Sequence, residues 1–145
     1  MKSCTFIGHR DCSCDIKEEL SLIIKHLIVH HNVRVFYVGT HGGFDKLVYS
    51  TLCELENKYD IKIIVVLAYL NAKEDKMYDI EKTVYPQELS TTLRRYAIIK
   101  RNEYMIKHSE YLVSYVNNRF SNAYKFIELA KRRGVNIINI GSVMV

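Results

Sequence analysis

Two short polar clusters in this 145-residue chain combine anion-binding side chains with glycines that let a ligand come close to the backbone. The first, Gly8-His9-Arg10-Asp11, follows the apolar run Cys4-Thr5-Phe6-Ile7. The second, Gly39-Thr40-His41-Gly42-Gly43-Phe44-Asp45, follows Val35-Phe36-Tyr37-Val38. Arginine grips a phosphate or carboxylate bidentately, and histidine bonds a hydroxyl or exchanges a proton near neutral pH. An aspartate such as Asp45 suits a ribose hydroxyl, general-base work or the cap of a helix. Gly8, His9, Arg10, Thr40, Gly42, Gly43 and Asp45 are therefore the first candidate ligand-binding residues, with Asp45 and His9 the candidates for catalysis. His41 reads as a solvated neighbour.

A second group lies further along. Arg94 and Arg101, and Arg95 and Asn102, are seven residues apart on what the apolar spacing predicts as one helix, so each pair shares a face. Arg95, Arg101 and Asn102 join the candidates. In the segment Asn117-Asn118-Arg119-Phe120-Ser121-Asn122-Ala123, Arg119 supplies charge and Ser121 a helix cap that can also donate to an anion. Four cysteines lack the paired spacing of structural zinc sites, so free thiols are expected, with Cys4 and Cys53 in the core and His9, Cys12 and Cys14 only a weak metal grouping. No metal and no cofactor are expected. His26, His30 and His31 read as structural.

These side chains need elements to place them. Apolar periodicity alternates strand and helix throughout. Residues 3–7, 34–38 and 61–67 read as strands, as do 111–116 and 135–140. Helices are expected over 15–31, with Asp15 as N-cap, and over 45–58, 93–108 and 123–133. Lys131-Arg132-Arg133 before Gly134 reads as a helix C-terminus, with cations against the dipole and glycine after the end. Residues 69–91, holding the only proline, Pro86, break the rhythm, and long connections of that kind are more often functional than idle. The order predicts one α/β domain over 1–145: a Rossmann-like three-layer sandwich with a mainly parallel, five-stranded sheet. In such a sheet, loops at the carboxyl ends of neighbouring strands meet in a ligand crevice. Neither G-x-G-x-x-G nor G-x-x-x-x-G-K-[ST] occurs, which argues against nicotinamide-dependent hydride transfer and against a P-loop NTPase.

Composition bounds the partners. Apolar content of 48% and charged content of 26% are ordinary for a globular protein, and no apolar run is long enough to span a bilayer. A cytoplasmic protein without membrane contact is expected. The net charge of +5 suits an anionic ligand but is mild and dispersed, which argues against nucleic acid as a partner. Apolar helical faces and 11 tyrosines leave room for a homodimer.

The ordered motifs resemble the YpsA-like branch of the SLOG superfamily: Thr5-Phe6-Ile7-Gly8-His9-Arg10, Phe36-Tyr37-Val38-Gly39, and Gly42-Gly43-Phe44-Asp45. Thr83-Val84-Tyr85-Pro86, Arg95-Tyr96-Ala97-Ile98, Arg101-Asn102 with Met105, and Ser109-Glu110-Tyr111 extend the resemblance over essentially the whole chain. It implies a Rossmann-like fold and a site for nucleotides or nucleotide-derived signals, in a superfamily that includes LOG phosphoribohydrolases and DNA-uptake proteins. Relatives tend to carry a Gly-Gly-Ala or Gly-Gly-Thr turn where this chain has Ser121-Asn122-Ala123, and the LOG motif Pro-Gly-Gly-x-Gly-Thr is missing. The leading expectation is binding of a nucleotide or nucleotide-derived small molecule. The alternatives are a hydrolase cleaving an N-glycosidic or phosphoester bond of such a molecule, and an adaptor for nucleic acid or protein.

Overall fold

The computed structural model describes residues 1–12, 14–70 and 76–145, with the side chain of Cys14 also outside the described set. Six strands form one parallel sheet: β1 (Lys2–Gly8), β2 (Val33–Val38), β3 (Lys62–Val66), β4 (Thr83–Val84), β5 (Tyr111–Tyr115) and β6 (Asn136–Asn139). Among the described residues, four α-helices cover it: α1 (Lys17–His31), α2 (Gly43–Leu55), α3 (Ala97–Lys107) and α4 (Asn122–Arg132). The spatial order is β4-β3-β2-β1-β5-β6. The Rossmann-like sandwich expected from the sequence is present, with one strand more than the five expected. The addition is β4, whose two residues pair with Val65 and Val66 inside the stretch read as irregular. Two residues are too few to show an alternating pattern.

Strands covered on both faces send alternate side chains to opposite layers. Cys4, Phe6, Phe36, Val38, Ile63, Val65 and Val113 pack with α1 and α2, whose Leu20, Ile24, Leu27, Val48 and Leu52 are buried. Ile7, Val66, Leu112 and Val116 pack instead with Met105 and Ile106 of α3 and with Ile127 and Ala130 of α4. The apolar faces alone would bury these residues; the parallel register adds the alignment, setting Phe6 beside Val113 and Gly8 beside Tyr115. Strands run outward from β1 in both directions, first through β2 and β3, then through β5 and β6. The order therefore reverses between β1 and β5, and the loops leaving those two strands diverge and open a crevice.

Helix ends differ from the sequence reading in two places that matter. A 3-10 turn over Cys14–Ile16 precedes α1, so Ile16 rather than Asp15 sits at the cap, with no side-chain cap bond. Another over Arg94–Tyr96 precedes α3, so residues 94–102 do not form one continuous α-helix. A 3-10 turn winds at three residues per turn, which dephases Arg94 and Arg95 from Arg101 and Asn102. Elsewhere the end signals hold. Ser121 caps α4 by accepting from the Tyr124 N–H at 3.2 Å, and Gly134 follows the helix at φ 74°.

Candidate functional site

A cavity of about 760 Å³ opens at the switch point, floored by residues 6–8 of β1 and walled by α3 and α4. Ile98, Ile99, Phe126 and Leu129 give it apolar sides. Its charged lining comprises Arg10, Arg101, Lys125 and Arg132 against Asp45 and Glu103. Four cations face two carboxylates, and Arg10, Lys125 and Arg132 are exposed. Asn122 and Ala123, at the start of α4, also line it, so the N-terminus of that helix faces the same space, with the Tyr124 N–H taken by the Ser121 side chain.

Of the residues predicted from sequence, Gly8, His9, Arg10, Asp45, Arg101, Asn102 and Ser121 line this cavity. Thr40, Gly42, Gly43, Arg95 and Arg119 lie outside its lining. The glycine pair has a different role here: it packs the two turns together. The Gly43 N–H donates to the Arg10 carbonyl at 2.7 Å. Gly42 sits at φ 92°, where a side chain would lie 2.8 Å from Arg10 Cα. The second turn thereby carries the first, and Arg10 is presented from a braced loop. His9 is braced as well. Its Nε2 accepts from the Asn117 N–H at 2.7 Å, and its own N–H donates to the Tyr115 carbonyl at 3.1 Å, so it joins the loops after β1 and β5. That bond leaves the neutral ring's proton on Nδ1.

Arg101 is 1% exposed, one of the largest side chains buried to that degree. Its Nε donates to Asn102 Oδ1 at 2.8 Å, and Nη1 to Thr40 Oγ1 and the Val66 carbonyl, both at 3.2 Å. Nη2 lies 3.4 Å from His41 Nδ1. The guanidinium thus ties α3 to the end of β3 and to the turn after β2. Asp45 lies beside it: a methyl on Gly39 would be 2.7 Å from Asp45 Oδ2 and 2.9 Å from Arg101 Cζ, so only glycine leaves room for both groups. Asp45 Oδ2 accepts from the His41 N–H at 3.0 Å, reaching back over the first turn of α2 rather than capping it from outside. Burial pushes the Asp45 carboxyl up to about 6, against the opposing pull of the Arg101 charge and the His41 N–H.

Arg94 and Arg95 do not share the fate of Arg101. Arg94 stacks on the Tyr69 ring at 4.3 Å and Arg95 on the Tyr96 ring at 4.9 Å, both exposed. Arg119 is exposed on the turn after β5. The grouping of His9 with Cys12 and Cys14 involves a Cys14 side chain outside the described residues. Sequence reasoning passed over Ile98, Ile99, Lys125, Phe126, Leu129 and Arg132, although 122, 125, 126, 129 and 132 repeat at the spacing of one helical face.

The architecture and crevice define a Rossmann-like α/β domain with its cleft at the topological switch point. Among solved structures, the fold is shared by DNA processing protein A (DprA) from Streptococcus pneumoniae. That likeness has a TM-score of 0.73 at 16% identity and covers 99% of this chain and 52% of that one. It is shared too by DprA from Helicobacter pylori, with a TM-score of 0.63 at 13% identity, over 95% of this chain and 64% of that one. This chain therefore spans between half and two-thirds of these proteins. No protein-family model and no curated protein matches the sequence. The Helicobacter pylori structure concerns single-stranded DNA binding by that protein, so a protein of this fold does take nucleic acid. That overturns the expectation that nucleic acid is an unlikely partner. Net charge along the chain does not reveal the grouping: Arg10, Lys125 and Arg132 are scattered in sequence and line one cleft in the fold. Among the described residues, no helix is long and apolar enough to cross a membrane.

Proposed function

We propose that this chain is a SLOG-type domain, of the YpsA-like branch, that binds single-stranded nucleic acid in the crevice between α3 and α4. The observation that carries this reading is the excess of cations in one open cleft beside a helix N-terminus. Phosphates are met by Arg10, Lys125, Arg132 and the first turn of α4, while the apolar walls accept sugar and base. The DprA likeness supports the same choice of partner, and the ordered motifs support the branch. All 145 residues act as one domain in this reading, in the cytoplasm.

Binding of labelled oligo(dT), followed by fluorescence anisotropy across a salt series, tests it. Neutralising three phosphates on a single strand predicts a slope of log K against log salt of about −2, since each contributes about −0.7. Replacing Lys125 and Arg132 together with Gln should flatten that slope by about 1.4. A wild-type protein that fails to bind at low salt removes the proposal, as does a slope the double substitution leaves unchanged.

A second reading is favoured by the cavity itself, since about 760 Å³ falls within the range of small-molecule sites. A free nucleotide or nucleotide derivative would then occupy the cleft. A thermal shift with mononucleotides, but none with oligonucleotides, would favour that reading. Hydrolysis of such a ligand would fall to Asp45, whose raised pKa suits acid–base work near neutrality, or to His9. Turnover by wild type, lost in Asp45→Asn with binding retained, is its signature.

A further inference from the structure

The turn between β5 and α4 displays an aromatic ring that nothing in the fold uses. Phe120 is 94% exposed, whereas the next most exposed aromatic among the large apolar side chains, Tyr96, is 45% exposed. Scattered aliphatic residues on a surface need no explanation, but a phenylalanine held almost wholly in water gains nothing from folding. The turn is not loose, either. Asn118 Oδ1 accepts from the Phe120 N–H at 2.8 Å, and the Asn118 carbonyl accepts from the Ser121 hydroxyl at 2.7 Å. Asn117 is anchored on both sides, donating its N–H to His9 and accepting from the Ser142 N–H at 2.8 Å. The ring therefore projects from a rigid support, with exposed Arg119 before it and the cleft-lining Ser121 and Asn122 after it.

We infer that Phe120 is a stacking platform for a base of the single-stranded nucleic acid whose backbone the cleft holds. This rests on the binding reading above and adds its contact with the bases. A rigid, unpartnered ring beside a basic groove is the combination that single-strand binding requires: cations follow the backbone, and the aromatic face accepts any base. It also explains how the turn functions without the glycine pair of its relatives, because the ring supplies a contact that close backbone approach does not.

The chain contains no tryptophan, so Phe120→Trp places a single tryptophan at the platform, excited selectively at the red edge where the 11 tyrosines do not absorb. Its emission should be quenched saturably by oligo(dT), and not by an abasic oligomer carrying the same phosphates. Phe120→Ala should weaken oligo(dT) binding by roughly five- to hundredfold while keeping the wild-type salt slope, and Phe120→Tyr should restore it. Circular dichroism should be unchanged in all three, since the side chain is exposed. Wild type that binds with a steep salt slope, alongside a Phe120→Ala protein of equal affinity and an unquenched tryptophan, overturns the platform and leaves the cleft reading standing. No binding by wild type removes both.

Discussion

Replacing Arg101 with Met should damage the fold before it damages binding. A sequence reading that pairs Arg101 with Arg10 as two grips on one anion predicts the opposite, a weakened but intact protein. In the structure the guanidinium is 1% exposed and holds Asn102, Thr40 and the Val66 carbonyl. Methionine fills much of the same volume, so little of the loss is cavity. What remains is three acceptors without their donor and a buried carboxylate, Asp45, without its neighbouring cation. Removing one member of a buried charged pair costs about 3–5 kcal/mol. A chain of this size loses roughly 2–4 °C of Tm per kcal/mol, so the melt should fall by roughly 6–20 °C. Urea unfolding followed by far-ultraviolet circular dichroism measures the change directly, with Arg101→Lys as a control. Lysine keeps the charge but cannot span three acceptors with a planar fork, so it should recover only part of the loss. A Met variant within about 1 kcal/mol of wild type, yet deficient in ligand binding, would refute the reasoning and return Arg101 to the role of a grip.

Asp45 makes stability depend on pH in a defined window. Its carboxyl is raised from 3.8 to about 6, so below 3.8 it is neutral folded and unfolded alike, and the folded state becomes less favoured as pH rises towards 6. The loss is about 3 kcal/mol across that interval, and Asp45→Asn should flatten it in urea titrations run at successive pH values. Ser121→Ala removes the cap bond to the Tyr124 N–H and should cost about 1 kcal/mol in the same assay, confined to unfolding and leaving the salt slope of oligo(dT) binding unaltered.

The parts of the fold that could be read from residues are those where a local rule decides. The strand–helix alternation, the cap at Ser121 and the glycine after α4 each follow from a few neighbouring side chains. Three features escaped because tertiary contacts decide them. β4 exists only because Val65 and Val66 offer it an edge; alone, Thr83 and Val84 carry no period. The start of α3 is displaced by a 3-10 turn whose two arginines are occupied with Tyr69 and Tyr96, a contact in which Tyr69 comes from far back in the chain. The wall formed by Lys125 and Arg132 was visible as a helical face. Whether that face looks onto solvent or onto a cleft depends on the strand order, which periodicity does not encode.

The candidate site divides labour between buried and exposed charge, and this bears on what it can recognise. Arg101 and Asp45 are set in the fold with their hydrogen bonds directed at Thr40, His41, Asn102 and the backbone, so they fix the shape of the turn after β2. That turn in turn seats Arg10 through Gly43. The cations left facing water are Arg10, Lys125 and Arg132, one on a loop and two placed seven residues apart on one helical face. Charges spread along a groove suit a ligand whose own charges are spread along a chain, each contact modest and screened by salt. A compact phosphate ligand is better served by a glycine-lined turn that lets several backbone N–H groups close on it, whereas the turn after β5 carries Asn118, Arg119, Phe120 and Ser121 and no glycine. A turn without glycine and three separate exposed cations therefore favour the proposed extended polyanion over a tightly cradled small phosphate.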